Sequence, residues 1–208
     1  MTLYVPDHFR LDDGERLFDF IGRHGFATLV SSGAAGGLHV SHVPLLAERD
    51  ASGAVRLLGH VARANPQWQV LEQAAQVLAI FHGPHAYVSP GWYEQHPSVP
   101  TWNYAVVHAH GAARLMDEAE LHELLISLSS TYESHRPRPW KMSELPAAYV
   151  SGMLASIVGF EIAVERLEGK FKLSQNRPGE VGRVIEALDS EEPALAALMR
   201  QHLPPAKG

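Results

Sequence analysis

Apolar positions recur along the chain at two spacings, and the spacing switches at clusters of glycine, proline and asparagine. Residues 15–24 place Leu17, Phe20, Ile21 and His24 on one helical face, with Asp12 or Asp13 positioned to cap the start. Phe26 to Ser32 is rich in β formers and predicts a strand, and Gly33, Gly36 and Gly37 predict a turn over Ser31–Gly37. Leu38 to Val43 then alternates, with Leu38, Val40 and His42 facing one way and His39, Ser41 and Val43 the other, as a hairpin partner should. Val55 to Val61 predicts a third strand. Asn65-Pro66 predicts a helix start, with the helix running to about Ala74. Gln76 to His82 predicts a fourth strand, broken at Gly83-Pro84 and resumed over His85–Ser89. The prolines of 90–101 predict a loop with bulky aromatics, and Trp102 to Leu115 a long strand.

Asp117 caps a predicted helix whose apolar face carries Leu121, Leu124, Leu125 and Leu128, and Tyr149 to Leu154 lies in another. Ile157 to Leu167 returns as a strand with Val158, Phe160, Ile162 and Val164 on one face, and the tail is helical from about 178, interrupted by Pro193. Successive strands with short connections, and helices gathered around 117–155 and in the tail, predict a mainly β (α+β) fold: a closed or partly closed antiparallel barrel. The 208 residues suit a single domain. Neither a GxGxxG nor a P-loop motif occurs, so the pattern is not that of a nucleotide-binding α/β fold.

Charge and composition narrow the function classes. Twenty-three acidic side chains against 17 basic ones leave a net charge of −6, whereas a chain binding nucleic acid through its bulk charge leans basic. Direct DNA contact is therefore not expected. With no cysteine, disulfides and thiolate metal sites are excluded, and the composition accords with a reducing, cytoplasmic setting. No apolar run reaches the ~18 residues of a membrane span, and Met1 to Arg10 lacks the apolar core of a signal peptide. His82 and His85 are three apart, and His108 and His110 share a strand face. No HExxH pattern accompanies either pair and Gly83-Pro84 turns the chain between the first two, so no metal centre is expected. No GxSxG nucleophile motif is present.

The remaining chemistry collects in ordered segments. These are Tyr4-Val5-Pro6 with His8-Phe9, Phe26-Ala27-Thr28-Leu29, Ser41-His42-Val43-Pro44, and the stretch from Gly59-His60-Val61 to Ala64-Asn65-Pro66. They continue with the stretch from Phe81-His82-Gly83 to Val88-Ser89-Pro90, then Trp92-Tyr93, Val99-Pro100-Thr101-Trp102-Asn103-Tyr104 with Val107-His108, and the stretch from Gly169-Lys170-Phe171 to Gln175-Asn176. In this order they resemble the PaiB family, the FMN-binding negative transcriptional regulators, over residues 4 to about 190. The resemblance implies a split β-barrel related to the flavin reductases and pyridoxamine-phosphate oxidases, working as a homodimer with FMN in a groove between subunits. It implies a flavin-linked regulator, with a flavin-dependent oxidoreductase as the alternative.

The residues themselves suggest how flavin would be held. At His60–Asn65 a strand runs into a helix start, where free N–H groups suit a phosphate and Arg63 offers a two-pronged contact; an ordinary helix cap is the plain alternative. Ser41 faces the core or the groove, and His42 interrupts an otherwise apolar face. One of the two is expected to touch flavin or phosphate, a satisfied buried histidine being the alternative for His42. Alternation puts Lys170, Lys172 and Ser174 on one side, a natural anion site or a basic strand beside solvent, and Gln175 has an amide suited to a ring edge or, with Asn176, to a helix cap; the resemblance favours the ligand in each case. Trp102 stands among aromatics that either stack on the flavin or pack as a lid.

Overall fold

The computed structural model describes residues 3–33, 36–74 and 76–202. Eight strands form one antiparallel sheet with flanking helices: β1 (Arg10–Leu11), β2 (Phe26–Ser32), β3 (Leu38–Pro44), β4 (Leu46–Arg49), β5 (Val55–Ala62), β6 (Val77–Val88), β7 (Thr101–Leu115) and β8 (Ile157–Lys172). Their order is β3-β2-β6-β7-β8-β5-β4, with β1 paired to β8. The helices are α1 (Gly14–Arg23), α2 (Gln67–Gln73), α3 (Glu118–Glu133), α4 (Ala147–Leu154), α5 (Val181–Glu191) and α6 (Pro193–His202). The described residues pack as two compact units, a terminal one (those within 1–20, 82–108 and 168–208) and a central one (those within 21–81 and 109–167).

In the central unit, β2 and β3 pair as the alternation requires, with Thr28 opposite His42 and Val30 opposite Val40. Ala27, Leu29 and Val43 turn inward, while Phe26, Leu38 and Val40 remain 66%, 64% and 55% exposed on the other face. The turn between the strands includes Ala34 and Ala35, outside the described residues. Its closing bond runs from Gly33 N–H to Gly37 O at 3.0 Å, and Gly36 sits at φ +82°, which a residue without Cβ adopts readily. A second hairpin joins β4 to β5 around Asp50, whose carboxylate accepts from Ser52 and Ala54 N–H. The strand pattern of β4 is only four residues long and follows Pro44, so alternation alone does not reveal it. Leu58 of β5 packs with Leu121, Leu124 and Leu128 of α3 and Leu154 of α4 in one buried cluster. Helix α3 opens on a full capping box: Asp117 accepts from Glu120 N–H, and the Glu120 carboxylate accepts from Asp117 N–H.

In the terminal unit, Asp13 caps α1 by accepting from Glu15 and Arg16 N–H. Phe20 meets Phe171 edge-on at 5.1 Å, and Phe171 stacks on His202 of α6 at 4.7 Å. The strand break expected at Gly83-Pro84 does not occur, and β6 runs through it unbroken. A Cβ on Gly83 would lie 2.6 Å from the Phe20 ring and 3.3 Å from Ala105 O, so this glycine marks a close approach inside a strand rather than a turn. Strand β8 also runs five residues beyond the expected Leu167, because Arg10 and Leu11 of β1 pair with Lys170 and Gly169. Among the described residues no helix is long and apolar enough to cross a membrane.

Candidate functional site

Ser41, His42, His60, Arg63 and Asn65 fall in the central unit. The helix start at Asn65-Pro66 forms as expected: Asn65 Oδ1 accepts from Gln67 N–H at 3.0 Å. The other end of that amide donates to Ser41 Oγ at 2.8 Å, which leaves the serine its own O–H to offer elsewhere. Gln67, which sequence reasoning passed over, is buried and donates through Nε2 to Leu29 O, Ser31 Oγ and His39 O, fastening α2 to β2 and β3. Its place directly after the Asn65-Pro66 helix start was the one signal the sequence offered.

His42 lies on the exposed face, not in the core. Its Nδ1 meets Thr28 Oγ1 at 3.1 Å across the β2–β3 pair, and its ring stacks with Phe26 at 6.4 Å. His60 shares its strand face with Leu58, by the alternation of β5. Its Nδ1 is buried and meets no hydrogen-bond partner among the described residues, and burial holds the ring below its ordinary pKa, so it is neutral near pH 7. Arg63 has a different employment from the one its position suggested. Its Nε donates to Ala155 O at 2.8 Å and its Nη2 to Ile157 O at 3.0 Å, closing the C-terminal end of α4, where unpaired carbonyls and negative dipole favour a cation.

Trp102, Lys170, Lys172, Ser174 and Gln175 fall in the terminal unit. Lys172 Nζ donates to Trp102 O at 2.6 Å and to Thr101 Oγ1. Burial, then repulsion from Lys170, lowers its pKa. Lys170 Nζ donates to Tyr4 O at 2.9 Å and lies 5.6 Å from the Tyr104 ring centre. Ser174 does not continue the lysine face. Strand β8 ends at Lys172, Ser174 adopts φ +67°, and its buried hydroxyl exchanges hydrogen bonds with Asn103. Gln175 folds back on its own backbone, accepting from Leu173 N–H and donating to Phe171 O, so its amide is engaged locally.

Two cavities of the central unit, about 820 and 750 Å³, contain none of the residues expected from sequence. The first is edged by an ion network in which Arg114 pairs with Glu120 and Glu161, and its guanidinium holds the Glu120 carboxyl at a pKa of about 2. A cleft of about 390 Å³ in the terminal unit is lined by His82, His85, Trp102 and Tyr104.

The fold, an antiparallel split barrel with flanking helices, is shared with solved structures that superpose on this chain. A FAD- and haem-binding protein from Mycobacterium smegmatis matches with a TM-score of 0.60 at 16% identity, over 79% of this chain and 73% of that one. The flavocytochrome Anf3 from Azotobacter vinelandii matches at 0.58 and 16%, over 81% and 72%. The family described as "Putative FMN-binding domain" matches residues 3–166, and the chain belongs to it. Within that family the chain is 37% identical, over 91% of each sequence, to the protease synthase and sporulation protein PAI 2 of Bacillus subtilis strain 168, as the PaiB resemblance anticipated. An uncharacterized protein of Emericella nidulans is 34% identical over 65% of this chain.

The central-unit residues suit FMN chemically. A phosphate or ring edge needs donors not already engaged, and the Ser41 hydroxyl and the second Asn65 amide hydrogen supply them. A buried ring nitrogen without a protein partner, as in His60, is the kind of atom a ligand satisfies.

Proposed function

We propose that this chain binds FMN through the central unit and works as a cytoplasmic, homodimeric, flavin-linked regulator. The observation that carries the FMN contacts is His60: its Nδ1 is buried without a partner inside the stretch that the FMN-binding family covers. Ser41 and Asn65 hold the phosphate or ring edge by donating to it, whereas His42, bonded to Thr28, lies on the opposite, exposed face of β3 with Val40. Bound there, FMN supplies a ring that exchanges electrons singly or as hydride. Arg63, Ser174 and Gln175 serve the fold, and Trp102, Lys170 and Lys172, which the resemblance also assigns to flavin, belong to the terminal unit.

The exposed apolar face of Phe26, Leu38 and Val40 supports a second copy as its cover, since isolated chains rarely leave such faces in water. The regulatory role rests on the family resemblance and on the sporulation protein of B. subtilis as relative. An indirect route to genes accords with the net charge of −6. The rival reading, a flavin-dependent oxidoreductase, draws support from the open aromatic cleft beside Trp102. Flavin reduction by NADH or NADPH with a turnover that depends on an added acceptor would favour it.

His60→Leu tests the assignment. Removing an unpartnered buried nitrogen while keeping an apolar side chain leaves stability unchanged or raised. FMN affinity falls at least about tenfold, the scale of one lost hydrogen bond to a ligand. A variant that binds FMN like the wild type would remove His60 from the site.

A further inference from the structure

Helices α3 and α4 and the stretch that joins them enclose the cavity of about 750 Å³ in the central unit, a size common among small-molecule sites. None of the residues assigned to FMN lines it. Helix α3 offers the cavity a different face from the one it buries. Leu121, Leu124 and Leu128 pack into the core, whereas Glu118, His122, Ile126, Ser130 and Ser134 follow one another every four residues along the cavity. By helix rise this row is about 24 Å long, so the cavity has a mean cross-section of about 30 Å². That is a narrow channel, suited to an extended chain.

The facing wall is α4, whose sequence, Ala-Ala-Tyr-Val-Ser-Gly-Met-Leu, is mostly apolar although only Leu154 is buried. Ala147, Val150, Ser151 and Leu154, at the spacing of one helical face, line the channel. So short a helix draws little stability from its own hydrogen bonds, and a chain laid along this edge covers the apolar surface that packing leaves open. Trp140, Met142 and Leu145 of the joining stretch close the third side, and the Trp140 residue is 46% exposed.

The two ends of the channel differ in charge. Between Ser134 and Met142 the joining stretch carries Arg136, Arg138 and Lys141 and no acidic side chain. The carboxylate at this end, Glu133, is already engaged: its Oε1 pairs with Arg136 Nε at 3.0 Å and its Oε2 accepts from Trp140 N–H at 3.0 Å. Lys141 lines the channel, and among the described residues its ammonium meets neither a carboxylate nor another acceptor. Glu118, in the first turn of α3, stands at the other end.

We infer that this channel binds a free medium-chain alkyl carboxylate, its tail between α3 and α4 and its carboxylate at Lys141. An alkyl chain alone fits either way round; the unpaired ammonium at one end and Glu118 at the other set its direction. The inference shares no residue with the FMN reading and does not rest on it.

Calorimetric titration with decanoate, decanol and decyltrimethylammonium, each below its micelle concentration, tests the inference on flavin-stripped and on FMN-saturated protein. The expected result in both is one decanoate per chain, bound with the negative heat-capacity change of apolar burial and at least tenfold tighter than the ammonium. Lys141→Met lowers decanoate affinity at least tenfold and leaves decanol unchanged. Ser151→Trp and, separately, Ile126→Trp each put an indole into the channel and weaken both ligands at least tenfold, with the fold checked by urea denaturation. Equal binding of decanoate and the ammonium, no binding of any of the three, unchanged affinity in Lys141→Met, or unchanged affinity in both tryptophan variants overturns the inference. One-for-one competition of decanoate with FMN also overturns it, because the acid would then occupy the flavin site. So does a dimer that Ser151→Trp dissociates, because a second copy would then cover the channel. Decanoate binding with this charge preference by a protein that takes up no FMN removes the flavin reading and leaves the channel assigned.

Discussion

His60 and Arg63 sit three residues apart and show how neighbours in one motif part company in three dimensions. His60 is half-buried and neutral, its Nδ1 enclosed without a partner, whereas Arg63 reaches out to Ala155 O and Ile157 O. The histidine carries a pH consequence. Its folded pKa lies below the unfolded value near 6.5, so below that value the unfolded chain binds more protons and stability falls as the pH drops. His24 and His202 are shifted down by burial as well and add to the same trend. Melting curves between about pH 7 and pH 5 should therefore show a falling midpoint, with a shallower slope in His60→Leu; an unchanged slope would mean that His60 is charged in the fold. For Arg63→Ala the expectation is reversed: FMN affinity within threefold of the wild type, and stability lower by about 1 kcal/mol from the lost hydrogen bonds at the end of α4, read by urea denaturation.

At this scale the sequence was legible where bonds are local. The Asn65 cap follows from Asn-Pro alone. The Ser41–Asn65 bond, spanning 24 residues, does not. Nothing in Ser-Gln-Asn announces the left-handed residue at 174, whose turn folds the Gln175 amide back onto Phe171 O.

Among the elements, α3 has the plainest origin. Asp117 and Glu120 satisfy each other's backbone N–H groups, and Leu121, Leu124 and Leu128 bury against Leu58 and Leu154. Asp117→Ala should lower the unfolding free energy by about 1 kcal/mol, with no change in FMN affinity. A loss below a few tenths of that in urea denaturation would show that packing alone holds the helix start. The strands were legible from alternation wherever one face is buried, as in β2, β3 and the first part of β8. They were illegible where long-range pairing overrides a local signal. Gly83-Pro84 carries the chemistry of a turn, yet the Phe20 ring needs the space that a glycine in the strand leaves open. The end of β8 depends on a two-residue partner, β1, too short to announce itself.

For the whole molecule, the ordered motifs placed the chain in its family because they span nearly its full length, and the match over 3–166 agrees. The site was only partly legible, since burial and partner choice are properties of the fold. The exposed apolar row of Phe26, Leu38 and Val40 belongs to this scale. If a second copy covers it, Val40→Glu, which buries an unpaired carboxylate, should shift sedimentation from dimer to monomer by at least tenfold in dissociation constant. A wild-type protein that sediments as a monomer at micromolar concentration would contradict the dimer.

The most direct test of the account is a titration of the purified, flavin-stripped protein with FMN, followed by flavin fluorescence and visible absorbance. The account predicts saturable quenching with shifted flavin bands at one FMN per chain. Fluorescence and absorbance unchanged from free FMN, with the protein folded, would contradict it and leave His60 without a ligand.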